Sequence, residues 1–285
     1  MNATTKTCCL LGNPVGHSKS PFIHNTLAKM MGINMVYTAY TVENGRLGDA
    51  IRGADALDFL GLNITVPYKC DVIEYLAEID PLAEKIGAVN TLVRTGNGYK
   101  GYNTDIIGLG RQLDEENIII KDREVIILGA GGAAKAIAYL CGDKGAKRIY
   151  ILNRNRDNAE ALAGEINSYF GAIGVPLSLD EYRNIPWGKY PVIQTTSVGL
   201  YPDTEKAAIM DSEFYEYVEA GVDIIFNPED TLFMRKCRMA GANAYNGLKM
   251  LLYQGIAGFE LWNDVKVPEE MVREVYELLQ KEMKG

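Results

Sequence analysis

Short apolar runs rich in β-branched residues alternate with amphipathic stretches along the first third of the chain. The runs at residues 7–12, 35–42 and 58–66 predict strands. The stretches at residues 21–32 and 69–79 repeat apolar residues at the i, i+3, i+4 spacing, which predicts helices.

A predicted β-hairpin interrupts this alternation before the pattern restarts. Residues 90–103 contain two short extended runs around Gly-Asn-Gly, which is typical of a hairpin turn. The strands predicted after it lie at residues 124–129, 148–153, 190–196 and 220–228. The helices predicted after it lie at residues 105–116, 133–145 and 157–171, with others starting at Thr231, Gly247 and Pro268. Alternating strands and helices indicate parallel sheets with right-handed crossovers, so we expect an α/β fold.

The length of the chain and the restart of the pattern predict two domains. A chain of 285 residues exceeds the usual size of a single domain. We expect the boundary near residues 101–105, with one domain over residues 1–103 that is completed by C-terminal helices within residues 243–285. Residues 104–242 then form the second domain.

The composition excludes several classes of partner. Acidic residues outnumber basic ones by 37 to 29, for a net charge of −8, so neither nucleic acid nor an anionic membrane is expected as a partner. No uncharged apolar run reaches the ~18 to 20 residues of a membrane span, and the N-terminus lacks a signal-peptide pattern, so we expect a cytoplasmic protein. The five cysteines and two histidines show no metal-ligand spacing, so we expect reduced thiols and no metal site.

A glycine-rich turn in the second domain predicts a dinucleotide site. Gly129, Gly131 and Ala134 follow an apolar strand and precede a helix. In that context glycines let the backbone approach a pyrophosphate, which rests on the amides at the helix N-terminus.

The end of the next strand favours NADP over NAD. An NAD site usually carries an acidic residue there, which accepts a hydrogen bond from the ribose 2′-hydroxyl. This chain has Asn153, Arg154, Asn155 and Arg156 instead, and two guanidiniums suit a 2′-phosphate. Asp157 could still reach a ribose, so NAD stays the alternative cofactor.

Polar side chains also stand where N-terminal strands end. Ser18 and Ser20 precede a helix that Pro21 is expected to open, and two hydroxyls there would suit a small carboxylate, although Ser20 could simply cap the helix. Lys69 is predicted in the first turn of a helix, where the dipole disfavours a cation. A lysine placed against this preference indicates a partner, and Asp105 is the natural candidate.

A series of motifs covers nearly the whole chain. In order, they read GNPVGHSKSPFIHN, NITVPYK, GAVNT, GYNTD, GAGGAAKA, NR and NGLKMLLYQGIAGFELW. Their order and spacing resemble those of the shikimate dehydrogenases. The resemblance implies reversible, NADPH-dependent reduction of 3-dehydroshikimate to shikimate in aromatic amino-acid biosynthesis. It also implies an N-terminal α/β substrate domain with a mainly parallel sheet, a Rossmann-like NADP-binding domain, and an active site in the cleft between them.

The same resemblance assigns roles to single residues. Lys69 and Asp105 would form the catalytic pair, with the question of which one carries the transferred proton left open. The substrate carboxylate would be bound by Ser18 and Ser20. The side chains implied at the ring hydroxyls are Asn63, Thr65, Asn90, Asp105 and Gln254. The residues expected at the cofactor are Gly129, Ala130, Gly131, Gly132, Ala133, Asn153, Arg154, Arg156, Thr196, Ile224 and Gly247.

The chain departs from the family pattern mainly on the cofactor side. Gln194 stands where the family usually has Asn, and Phe226 where many members have Tyr. Two alternatives stay open: a quinate/shikimate dehydrogenase that uses NAD or NADP, and a non-catalytic ligand sensor on the same scaffold. We expect a monomer or homodimer, with a hinge near Gly247 that closes the two domains around the ligands.

Overall fold

The computed structural model describes residues 1–284 and divides into two compact units. Unit 1 combines residues 1–108 with the segment that starts at Leu251, and unit 2 is Leu109–Met250. Each unit contains its own six-stranded sheet. The α/β class expected from the alternating pattern is confirmed.

Unit 1 contains a mixed, mainly parallel sheet. Its strands are β1 (Lys6–Gly12), β2 (Met35–Thr41), β3 (Gly61–Ile64), β4 (Glu78–Ile79), β5 (Thr91–Thr95) and β6 (Gly98–Tyr102). They lie in the order β2-β1-β3-β5-β6-β4, and only β5 runs antiparallel to its neighbours. β5 and β6 form the hairpin predicted around Gly-Asn-Gly, where Gly98 takes a φ of +112° that suits glycine.

Unit 2 contains a fully parallel sheet. Its strands are β7 (Glu124–Leu128), β8 (Arg148–Asn153), β9 (Gly174–Ser178), β10 (Tyr190–Gln194), β11 (Val218–Asp223) and β12 (Asn243–Tyr245). They lie in the order β12-β11-β10-β7-β8-β9. The central strands are buried on both faces, which explains their continuous apolar sequences. Because the strands are parallel, the loops that follow β7, β8, β10 and β11 meet at one edge of the sheet.

Helices cover the sheets and supply the crossovers. They are α1 (Ser20–Met30), α2 (Leu47–Ala56), α3 (Pro81–Ile86), α4 (Thr104–Glu115), α5 (Gly132–Asp143), α6 (Arg156–Phe170), α7 (Leu232–Met239), α8 (Leu248–Asn263) and α9 (Glu269–Lys284). Within residues 1–284, none of these helices is long and apolar enough to cross a membrane.

The prediction of a helix over residues 69–79 is wrong. The structure has a short 3-10 helix at Asp71–Tyr75, after which Leu76 is extended and β4 begins. The backbone N–H of Ala77 donates to Tyr99 and that of Asp80 donates to Gly101, both on β6. Pairing with the sheet edge therefore overrides the helical spacing of apolar residues in this segment.

Two predicted strands are longer than those observed. The strand expected at residues 58–66 is only β3, because Asp58 takes a φ of +61° and cannot continue a strand. The strand expected at residues 220–228 stops at Asp223, whose side chain accepts a hydrogen bond from the N–H of Ile225 and turns the chain. The pattern also missed four short elements: α2, α3, β9 and β12.

A single indole joins helix α8 to the sheet of unit 1. Trp262 is buried, and its Nε1 donates to the carbonyl of Leu92 at 2.9 Å. Its ring lies over β3, where a Cβ on Gly61 would come within 2.0 Å of Nε1. The backbone of β3 can approach the indole this closely only because residue 61 has no side chain.

We expect Gly61→Ala to destabilise unit 1, because a rigid ring and the sheet backbone would both have to move. The free energy of unfolding should fall by about 1–3 kcal/mol, the usual range for overpacking. Gly53→Ala is the matched control, since its exposed position in α2 has nothing within 4 Å of an added Cβ. That change should stabilise the protein by about 0.5–1 kcal/mol. Urea titrations of both variants test the prediction, and equal stabilities would contradict it.

Candidate active site

Lys69 and Asp105 form an ion pair in unit 1. Lys69 lies in the turn that follows β3, and Asp105 is the second residue of α4. The Nζ atom of Lys69 is 2.6 Å from Oδ2 of Asp105. Both side chains are partly exposed, at 34% and 22%, so a ligand can reach the pair. The expected partner is present, although Lys69 is not in a helical turn as predicted.

Asn90 fixes the start of α4 and thereby the position of Asp105. Its buried Oδ1 accepts hydrogen bonds from the backbone N–H of Thr104 at 2.7 Å and from the hydroxyls of Thr91 and Thr104. Its Nδ2 donates to no protein group within the described chain. The oxygen of this amide is therefore held by the protein, and its hydrogens stay available for another partner.

Both polar atoms of the Asn63 side chain are hydrogen-bonded within the protein. Oδ1 accepts from the Tyr37 hydroxyl at 2.7 Å, and Nδ2 donates to the Asn90 carbonyl and to the Thr91 hydroxyl at 3.0 and 2.9 Å. Both amide hydrogens are used, and the residue is only 4% exposed. Tyr37, Thr91 and Thr104 complete this buried network. Sequence reasoning missed all three, because a hydroxyl inside a strand or at the start of a helix carries no local signal.

The two serines lie at the N-terminus of α1, which begins at Ser20. Ser18 Oγ accepts from the backbone N–H of Ser20 at 3.2 Å, and Lys19 is the N-cap residue, so Ser20 does not cap the helix. One turn later His24 is fully buried and stacks on Tyr37 at 4.2 Å between ring centroids. Burial lowers the pKa of His24 to about 3, so its imidazole is neutral and packs as part of the core.

The two remaining candidates in unit 1 have different surroundings. Thr65 directly follows β3 and is half-buried, and its backbone N–H donates to the carbonyl of Leu11. Gln254 lies on α8 at 9% exposure, where its Nε2 donates to the carbonyl of Leu251 at 2.8 Å. Thr65 keeps its hydroxyl and Gln254 keeps its carbonyl oxygen for other partners.

The glycine-rich turn of unit 2 leaves room for a ligand against its backbone. Gly129 follows β7 with a φ of +116°, and a Cβ there would lie 2.4 Å from Oγ1 of Thr195. Gly131 and Gly132 have nothing within 4 Å of an added Cβ and are exposed at the start of α5. Ala133 is exposed beside them and Ala130 is half-buried. The turn thus has the open backbone amides that a pyrophosphate requires.

The two predicted phosphate-binding arginines differ in their surroundings. Arg156 already pairs with Glu160 at 2.9 Å and with Glu181 at 2.6 Å. Arg154 is exposed and forms no ion pair within residues 1–284. Asn153, at the end of β8, donates to the backbone carbonyl of Asn155. Arg154 is therefore the guanidinium available to a 2′-phosphate.

The other cofactor candidates surround the ends of β10 and β11. The hydroxyl and the backbone N–H of Thr196 both donate to Oε1 of Gln194, at 2.7 and 2.6 Å. Gly247 donates its N–H to Ile225, and a Cβ on it would lie 2.1 Å from the Ile224 carbonyl oxygen. Asp223 lies beneath them with no exposed surface, a buried carboxylate that the sequence analysis did not single out.

Three family profiles match the chain. Residues 10–92 match the profile described as "Shikimate dehydrogenase substrate binding domain". Residues 112–178 match "Shikimate / quinate 5-dehydrogenase", and residues 247–275 match "Shikimate 5'-dehydrogenase C-terminal domain".

Individual relatives match over nearly their full length. A protein of Halothermothrix orenii named shikimate dehydrogenase (NADP(+)) is 39% identical over 280 residues, which cover 97% of this chain and 96% of that protein. A shikimate dehydrogenase solved in complex with NADP+ is 37% identical with a TM-score of 0.88, covering 97% and 96% of the two chains. The Listeria monocytogenes shikimate 5-dehydrogenase solved with shikimate and NAD is 29% identical with a TM-score of 0.89, covering 96% and 97%. The chain therefore belongs to the shikimate dehydrogenase family.

Proposed function

We propose that this protein catalyses the reversible, NADP-dependent reduction of 3-dehydroshikimate to shikimate. The observation that carries the proposal is the contact of 2.6 Å between Lys69 and Asp105 on a partly exposed face of unit 1. The names of the full-length relatives support the same reaction. In this role unit 1 binds the substrate and unit 2 binds the cofactor, and the step belongs to chorismate and aromatic amino-acid biosynthesis.

The Lys69–Asp105 pair supplies the proton chemistry of the reaction. NADPH, when bound, supplies the hydride that reduces the carbonyl carbon. The Lys69 ammonium donates a hydrogen bond and then a proton to the carbonyl oxygen, which becomes the hydroxyl of the product. Asp105 accepts a hydrogen bond from the same ammonium and holds it in place. In the oxidative direction the pair takes up the hydroxyl proton.

A polyhydroxylated ring needs several matched partners, because each buried polar group left unpaired costs about 1–3 kcal/mol. We assign the carboxylate to the hydroxyls of Ser18 and Ser20 and the ring hydroxyls to Thr65, Asn90 and Gln254. Asn63 has both amide hydrogens bonded within the protein. We therefore assign Asn63 a role in positioning Asn90, although it was expected to bind the ring directly.

The proposal is tested by following reduced-cofactor absorbance with shikimate or quinate, each paired with NADP or NAD. Turnover confined to shikimate with NADP supports the proposed enzyme. Comparable turnover with quinate or NAD would identify the broader quinate/shikimate dehydrogenase. Binding of shikimate without any turnover would identify the ligand sensor.

We expect Lys69→Ala to lower kcat by about 10²- to 10⁴-fold, the contribution typical of a general acid or base. The dissociation constant for shikimate should stay close to that of the wild type, because the carboxylate and ring contacts remain. Steady-state kinetics and calorimetric titration measure the two quantities. Lys100→Ala is the matched control, since Lys100 lies on β6 of the same unit and its Nζ is 3.9 Å from Glu78. Equal kcat values for the two variants would contradict the assignment.

The two arginines after β8 should contribute unequally to cofactor binding. Arg154→Ala is expected to weaken NADP binding about 10- to 100-fold, since a hydrogen bond to a charged group contributes about 1.5–3 kcal/mol. Arg156→Ala should change it far less, because Glu160 and Glu181 already neutralise that guanidinium. NAD, which lacks the 2′-phosphate, should bind all three proteins alike. Dissociation constants measured by calorimetry test this, and an equal loss of NADP binding in both variants would refute it.

A further inference from the structure

A carboxylate with no cation partner among residues 1–284 is buried at the cofactor edge of unit 2. Asp223 ends β11 and has no exposed surface. Its Oδ1 accepts from the N–H of Ile225 at 3.0 Å and from Nε2 of Gln194 at 3.3 Å. Its Oδ2 accepts from the hydroxyl of Thr231, the N-cap residue of α7, at 2.8 Å. This one side chain therefore connects β10, the loop after β11 and helix α7.

Gln194 extends that connection into the loop after β10. Its Nε2 donates to the carbonyls of Thr196 and Val198 at 3.1 and 3.2 Å. Its Oε1 accepts from the backbone N–H and the hydroxyl of Thr196. The amide is fully buried. The loop over residues 195–198 is therefore folded around the Gln194 side chain, which bonds its backbone.

The acceptor oxygen of Asp223 fixes the orientation of this amide. An ionised carboxylate can only accept hydrogen bonds, so the Nε2 end of Gln194 must face Asp223 and the Oε1 end must face Thr196. Burial raises the pKa of Asp223 to about 6, which leaves it ionised in mildly alkaline solution. The titratable groups near it are the Tyr215 phenol and the Cys237 thiol, and burial raises the pKa of both, so both stay neutral.

The loop bonded to Gln194 and the segment bonded to Asp223 adjoin the other cofactor candidates. The hydroxyl of Thr195 donates to the carbonyl of Leu128 at 2.7 Å and fills the space over Gly129. The Ile225 amide bonded to Asp223 adjoins Ile224, whose carbonyl contacts Gly247. A shift of the Asp223 carboxylate would therefore move the glycine-rich turn, the Thr196 loop and the Ile224 segment together.

We propose that Asp223 and Gln194 are positioning residues that hold these segments in the geometry that binds the dinucleotide. The inference rests on the proposed NADP-dependent function and adds two residues to it. Neither side chain needs to touch the cofactor. The Gln194 amide reaches both Asp223 and the carbonyl of Val198.

The test compares NADP and shikimate dissociation constants at pH 8 for the wild type and for three variants. Gln194→Met keeps the volume of the side chain but removes the hydrogen bonds of its amide. It should weaken NADP binding at least tenfold and leave shikimate binding unchanged. Asp223→Leu should do the same. Asp223→Asn should bind NADP almost as tightly as the wild type, because its oxygen can still accept from Gln194 and Ile225 and its amide can donate to Thr231.

Asp211→Asn is the matched control. Asp211 accepts hydrogen bonds from Tyr182, Arg183 and the backbone of Glu213 in the same unit, but has no bond to the loop over residues 195–198. It should lower the melting temperature without changing NADP affinity.

The outcomes separate the inference from the proposed function. A wild type that does not bind NADP would refute the function itself. A wild type that binds NADP, with Gln194→Met binding equally well, would overturn only the inference. Asp223→Asn binding as poorly as Asp223→Leu would also overturn it. Because Gln194→Met and Asp223→Asn conserve volume, the test does not depend on the folding of Asp223→Leu.

Discussion

Hydrogen bonding of buried amides is the constraint on which the candidate active site depends. The Lys69–Asp105 pair is partly exposed and would be loosely held by itself, because an ion pair in contact with water contributes little. Its geometry comes from Asn90, which accepts the Thr104 N–H and so fixes where α4 starts. Asn63 in turn holds the Asn90 backbone. The ion pair lies at the surface of a network that is itself almost fully hydrogen-bonded.

In unit 2 a buried amide also holds a backbone segment in place, through the pair Gln194 and Asp223. The loops after its strands must keep their shape without a sheet to pair with, and an amide side chain supplies the missing partners. Gln194 bonds both ends of its loop, and Asp223 determines which way that amide faces. In both units a buried amide side chain bonds the backbone groups of a neighbouring segment, so substitution of that amide should disturb the segment.

The parts of the fold that were predictable are those with a local cause. Alternating apolar runs, Gly-Asn-Gly and the glycines after β7 each specify their conformation within a few residues, so the α/β class, the hairpin and the dinucleotide turn followed from the sequence. The segment over residues 69–79 did not, because β6 binds a chain that by its own spacing would be helical. The pairing of Lys69 with Asp105 is present as predicted, although the helical turn on which that prediction rested is not. The engagement of Arg156 by Glu181 was not predictable, since those residues are 25 positions apart and only the fold brings them together.

The position of Trp262 has a consequence for how the chain is made. Unit 2 is continuous in sequence, so it can complete its own sheet while the ribosome is still elongating the chain. Unit 1 begins first but lacks the indole that covers β3 until α8 has been synthesised. The nascent sheet of unit 1 therefore keeps apolar surface uncovered throughout translation of unit 2. The length of unit 2 sets how long that surface is exposed to chaperones and to aggregation.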